Sequence, residues 1–217
     1  MSTPTATLFF SFLLLPLAYC APPPATPTTG PCPSLDGHTQ FIRSRCNLTH
    51  YPDLCFASLS SYAAAVSGSL PELARVAANL TLARIRTFRT YVSALRRAGG
   101  DAALGRTAAA LRDCAEQLGD AADQVCRTSN ELRGVEALVG MEVSWRVSNA
   151  QTWMSAALTY EESCSDGFHE VAAASSVGSG GGDSGIDVKT DICRRVMRVK
   201  QYTSNALALV NSLVDGR

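Results

Sequence analysis

Little in this sequence is equipped for chemistry. It holds only three histidines, His38, His50 and His169, and none stands in H-E-x-x-H or another tight metal spacing. No C-x-x-C occurs, which removes the usual signature of a structural zinc site. The glycine run at 180–182 is not followed by Lys-Ser/Thr and follows no strand pattern, so it is not a phosphate loop. Neither sign of charge prevails, with 19 basic and 19 acidic side chains, and a balanced chain gives no support for nucleic-acid binding. Aromatics are sparse at 7% while Ala and Leu abound, a mixture that favours helices over sheets. Beyond the first twenty residues no long apolar run occurs, and the final L-V-D-G-R offers no hydrophobic tail for a lipid anchor. No metal or cofactor is expected, and no enzyme.

Two acidic or triad-like groupings test that exclusion. Glu161 and Glu162 are adjacent, which on a helix turns them about 100° apart; they read as solvated carboxylates rather than a catalytic pair. Ser163 or Ser165 with Asp166 and His169 has the composition of a hydrolase triad. The plainer reading is a helix terminus with polar capping. A hydrolase would require ester cleavage abolished by His169→Ala, and none is expected.

The chain opens with an apolar core, L-F-F-S-F-L-L-L-P-L from Leu8 to Leu17. It is too short to span a bilayer and is interrupted by Pro16. A small-residue step near Ala18-Tyr19-Cys20-Ala21 follows, so residues 1–20 read as a secretory signal. Residues 21–33 form a proline-rich, uncharged linker. Residues 34–217 form one domain with a core of its own. Export lets disulfides persist, and two N-x-[ST] sequons, at Asn47 and Asn79, become candidate glycan sites.

Within the domain the periodicity is helical. A short apolar segment runs from Leu35 to about Ser44. Pro52 opens a second helix, toward Val66, that stops near Ser67-Gly68. Together they read as a helical hairpin over about 35–67, pinned by Cys46 and Cys55; closing that ten-residue loop contributes about 2.7 kcal/mol in the chain-entropy model. Four longer patterns occupy about 70–214. The first runs from Leu70 to the stop at Gly99-Gly100. The second, with Asp101 as cap, carries Leu104, Ala108, Leu111, Ala115, Leu118, Ala122, Val125 and Leu132. A looser stretch, Gly134 to Gly140, leads to the third, about Val143 to Cys164. The fourth carries Ile192, Val196, Val199, Thr203, Ala206, Val210 and Leu213. Spacings that alternate four and three mark a packed helical seam. The expected fold is all-α: an antiparallel four-helix bundle preceded by a disulfide-pinned hairpin.

Eight cysteines are present, and loss of Cys20 with the leader leaves an odd number. Cys114 and Cys164 lie on the second and third patterns, and antiparallel helices return to each other, so the two can meet. Cys126 faces another direction. It has two readings: a bond to Cys193 on the fourth helix, or two buried thiols. Cys32 lies in the linker. A stapled, exported bundle is built for rigidity, which suits binding better than catalysis.

Three segments and a fourth carry a resemblance. Thr49-His50-Tyr51-Pro52 lies between Cys46 and Cys55. L-R-D-C-A-E-Q-L surrounds Cys114 and is followed by Asp120-Ala121-Ala122. T-W-M-S-A-A-L-T-Y-E-E-S-C-S-D-G-F spans 152–168, and S-N-A-L-A-L spans 204–209. In this order, with these cysteines, the chain from about Leu35 to Leu213 resembles the plant invertase inhibitor / pectin methylesterase inhibitor family. The resemblance implies a four-helix bundle after a helical hairpin, with Cys46–Cys55 and Cys114–Cys164 disulfides. The family usually has one further free Cys, whereas this chain carries Cys32, Cys126 and Cys193 beyond the two pairs, and Ser163 stands where Thr is usual. Invertase inhibitors tend to carry P-K-F, which is missing here, so the chain is similar to the pectin methylesterase side.

That resemblance implies a secreted apoplastic inhibitor that docks on pectin methylesterase, one to one, and covers its substrate cleft without covalent chemistry. Ser163 and Asp166 are the implied partner contacts; Phe168 and Trp153 are expected in the core, and Tyr51 and Pro52 in the hairpin turn. Acid invertase is the alternative target. A small-ligand or lipid carrier is the alternative class, although the adjacent C-C and C-x-C pairs of plant lipid-transfer proteins are missing.

Overall fold

Apolar residues three and four apart form helix throughout the computed structural model, which describes residues 35–99, 105–175 and 184–215. The leader and linker with Cys20 and Cys32, the Asp101 cap, Leu104 and the glycine run at 180–182 lie outside these. The helices are α1 (Leu35–Cys46), α2 (Pro52–Leu59), α3 (Ala63–Val66), α4 (Leu70–Gly99), α5 (Arg106–Glu131), α6 (Met141–Ser175) and α7 (Ser184–Asp215). No strand occurs among the described residues.

The hairpin expected over 35–67 is present, but its second arm is not one helix. A 3-10 turn at Ser60–Tyr62 separates α2 from α3. Just before it, the Ser58 hydroxyl donates to the Leu54 and Cys55 carbonyls (2.7 and 3.0 Å), a side-chain bond of the kind that competes with regular helix. The arm stops where expected: Ser67 (φ 50°) and Gly68 (φ 78°) both enter the left-handed region and turn the chain into α4. Cys46 and Cys55 are joined, with 5.5 Å between their Cα atoms.

The four long helices form a ring in which α4 packs on α5, α5 on α6, α6 on α7 and α7 on α4. The seam read from the sequence is the core. Ala108, Leu111, Leu118, Ala122, Val125 and Leu132 are buried from the α5 side, and Ile192, Val196, Val199, Ala206, Val210 and Leu213 from α7. Between α5 and α6 the chain makes a 3-10 turn, Val135–Ala137, bounded by Gly134 (φ 71°) and Gly140 (φ 68°). Both positions need a positive φ, which glycine adopts without a Cβ clash.

One expectation is corrected here, and one open reading is decided. α6 does not end at Cys164 but runs on to Ser175. Ala157, Cys164 and Phe168 continue one inward stripe, with Phe168 fully buried. That burial outweighs the roughly 1 kcal/mol helix penalty of Gly167. Cys126 and Cys193 are free and half-buried, with no bond between them. They lie on α5 and α7, which are diagonal in the ring. Their levels also differ: the Cys114–Cys164 and Glu161–Thr203 contacts align the helices so that the two thiols stand about nineteen residues apart along the bundle, roughly 28 Å at 1.5 Å per residue.

One side chain ties the hairpin to the bundle. Asn205 on α7, 4% exposed, accepts from the Tyr51 N–H through Oδ1 (3.0 Å) and donates through Nδ2 to the Tyr51 carbonyl (2.9 Å). The Tyr51 carbonyl also accepts the Cys55 N–H of α2 (2.9 Å), so it is the Tyr51 N–H that depends on Asn205. Nearby, Thr49 is buried and its hydroxyl donates to the Cys46 carbonyl (2.8 Å). Replacing Asn205 by Ala strands the Tyr51 N–H and removes one of the two donors to the Tyr51 carbonyl, so Asn205→Ala should lower unfolding free energy by about 1–2 kcal/mol, read from urea denaturation midpoints at constant slope. An unchanged midpoint would show that the clamp contributes nothing.

Candidate partner-binding face

The outward side of α6 is unusual in what it carries. Met141, Trp145, Ser148, Thr152, Ser155, Thr159, Ser163 and Asp166 recur at three- and four-residue spacing, and all are exposed. Trp145 and Ser163 are eighteen residues apart, five full turns, so they share one side of the helix. An ordinary solvated helix face is lined with Lys, Glu and Arg; this strip is short hydroxyls, with an apolar end and a single carboxylate at the other. Trp145 is 62% exposed and Met141 88%.

Three of the five hydroxyls are held by their own helix. Thr152 donates to the Ser148 carbonyl (2.9 Å), Thr159 to Ser155 (3.3 Å) and Ser163 to Thr159 (3.0 Å). Each keeps lone pairs for an incoming donor. Such side chains lose little rotamer freedom when covered, unlike long charged ones. The strip is therefore preorganised for contact with a flat surface.

Ser163 and Asp166 lie one turn apart within this strip, inside α6 rather than at its end. The capping role read from the sequence is thereby overturned. The Ser163 hydroxyl points back along its own helix and not to a base as in a triad. The His169 side chain is outside the described residues. Among the described residues, no group of three or more His, Cys, Asp or Glu could hold a metal ion. No described helix is long and apolar enough to cross a membrane.

Glu161 corrects the reading of the acidic pair. Glu162 is exposed, and Lys200 on α7 donates to its Oε2 (2.9 Å), which holds its carboxyl below the usual range. Glu161, turned about 100° away, is fully buried. Its Oε1 accepts from the Thr203 hydroxyl (2.6 Å), while Oε2 has no partner. Burial pushes its carboxyl up to about 8, against the opposing pull of the Thr203 hydroxyl and the Lys200 charge. Trp153 is half-buried, with Arg127 stacked 5.0 Å from its ring; Phe168 is core as expected.

One disulfide fixes this face. Cys114 and Cys164 are joined, 4.2 Å between Cα atoms, and lock α5 to α6. Asn47 is exposed in the turn after α1. Asn79 lies within α4, where its Oδ1 accepts from the Ser129 hydroxyl on α5 (2.7 Å). The sequence alone does not single out Trp145. The available signal is its position five turns before Ser163.

Fold and strip together define a disulfide-linked four-helix bundle with a preformed outer face. The chain matches the family model described as plant invertase/pectin methylesterase inhibitor over residues 40–209, and it belongs to that family. It is 36% identical to the "21 kDa protein" of Daucus carota, over 98% of this chain and 96% of the relative. It is 37% identical to "Pectinesterase inhibitor 9" of Arabidopsis thaliana, over 85% and 86%. A crystal structure of a mutant pectin methylesterase inhibitor from Arabidopsis covers 78% of this chain and 95% of its own, with a TM-score of 0.55 at 19% identity. That likeness speaks for the fold.

The buried carboxyl makes stability depend on pH. Its folded value is raised from 4.5 to about 8, so the folded state holds a proton that the unfolded chain releases. Stability is full below about pH 4.5 and falls as pH rises toward 8, by on the order of 4 kcal/mol. Glu161→Gln should flatten the fall between pH 5 and 8 in thermal unfolding. An unaltered slope in Glu161→Gln would assign the pH dependence to other groups.

Proposed function

We propose that this chain is a secreted, apoplastic inhibitor of pectin methylesterase, binding one to one and covering the substrate cleft without covalent chemistry. The observation that carries the reading is the hydroxyl strip of α6, held rigid by Cys114–Cys164 in a chain of this family. Relatives at 33–37% identity are named pectinesterase inhibitors, and the P-K-F tripeptide of the invertase side is missing. A stable complex needs about 800 Å² from each partner, within the reach of one long helix and its neighbours. Ser163 and Asp166 are the proposed contacts, with Trp145 as an apolar anchor at the far end of the same strip. Asn47 is the sequon whose geometry suits a glycan, since it stands exposed in a turn.

The test is titration of the purified mature protein against a plant pectin methylesterase and an acid invertase in parallel. Loss of esterase activity at a stoichiometric end point is expected, with invertase unaffected. Asp166→Lys should weaken inhibition tenfold or more, about 1.4 kcal/mol, at unchanged thermal stability. Inhibition of invertase alone would move the chain to the other branch of the family. Full inhibition by Asp166→Lys would place the contact elsewhere.

A further inference from the structure

The balanced net charge conceals a separation. α4 carries six arginines against one glutamate, and α7 five basic against three acidic side chains. α5 has three basic against five acidic, and α6 one against five. Since α4 and α7 are neighbours in the ring, the bundle has a basic side. α4 is diagonal to α6, so its outer surface faces away from the hydroxyl strip.

Between α4 and α7 lies a groove of about 360 Å³ lined by Arg84, Tyr91, Arg195, Arg198 and Tyr202. Its guanidinium groups are stacked on its rings: Arg195 at 4.0 Å from the Tyr91 centroid, Arg84 at 5.4 Å and Arg198 at 5.9 Å from Tyr202. Arg195 is neutralised by Asp191 (2.8 Å). Among the described residues, Arg84 and Arg198 form no salt bridge. Along the other flank of α4, a second groove of about 480 Å³ is lined by Arg89, Arg96, Arg97 and Arg112. Arg84 and Arg198 lean on the same ring from exposed positions, and their planar N–H forks match carboxylates.

We propose that the α4–α7 groove binds a polyuronate, an acidic polysaccharide bearing a carboxylate on each sugar. The ligand class rests on the esterase-inhibitor reading: hydrolysis of a methyl ester on pectin leaves a carboxylate on the polymer. The inhibitor would thus hold the product polymer on one side while the opposite side meets the enzyme.

The experiment measures binding of the full mature chain to polygalacturonate, and to the same polymer fully methyl-esterified, by calorimetry at low salt. Binding of the first and at least tenfold weaker binding of the second are expected, with affinity falling as NaCl rises through the Debye-screening range. Arg84→Gln/Arg198→Gln should lose at least tenfold in affinity while inhibiting pectin methylesterase undiminished. A charge-matched control on the acidic side, Arg127→Gln/Arg133→Gln, should bind as the parent does. Equal binding of the esterified polymer, equal binding of a DNA duplex or of anionic vesicles, indifference to the groove substitutions, or no binding at all would each overturn the proposal. Polyuronate binding by a chain that leaves the esterase active would support the groove and count against the inhibitor reading.

Discussion

The covalent join between Cys114 and Cys164 sets the register of α6 against α5, and the features of α6 follow from it. Once Cys164 points inward, the helix period decides the rest. Three residues back, Glu161 must also point in. Four residues on, Phe168 does the same. Ser163 and Asp166, about 100° and 160° away, must face solvent. A slip of one residue would bury a hydroxyl and expose a phenyl ring. A disulfide between positions 50 residues apart in sequence contributes about 4 kcal/mol in the chain-entropy model, but its larger effect here is to make one register the only one available.

That register has a consequence in charge. A carboxylate buried beside one hydroxyl, with its second oxygen unpartnered, is costly when ionised and tolerable when protonated. The bundle therefore suits acidic surroundings better than alkaline ones. Charge elsewhere is sorted by helix, with arginine on α4 and α7 and carboxylate on α5 and α6. Neighbouring basic helices repel mildly in water, and stacking of arginines on Tyr91 and Tyr202 offsets part of that.

Most of the architecture was legible in the sequence because it rests on period and punctuation. The α7 stripe, the described part of the α5 stripe, the turn at Ser67-Gly68 and the looser link at Gly134–Gly140 are local signals, and they stand as read. Both disulfides, implied by family resemblance, are present. What escaped were outcomes of tertiary packing. The Ser, Asp and His around Cys164 read as a polar-capped helix end, yet Phe168 had a core to enter and carried the helix through. Glu161 and Glu162 were distinguishable only as pointing apart; which one pointed inward depended on the register that Cys164 imposes. Equal numbers of charges said nothing of their segregation, because net charge is blind to which helices become neighbours. The strip from Trp145 to Asp166 was half legible: Ser163 and Asp166 came from motif resemblance, while the tryptophan five turns away gained meaning only on a helix known to be continuous.

The most direct test of this arrangement is peptide mapping of the secreted protein without reduction, after alkylation of free thiols. Linked peptides containing Cys46 with Cys55 and Cys114 with Cys164, and alkylated Cys126 and Cys193, are the predicted result. A peptide joining Cys114 or Cys164 to Cys126 or Cys193 would contradict it, since no such bond can form with α6 in the register that exposes Ser163 and Asp166.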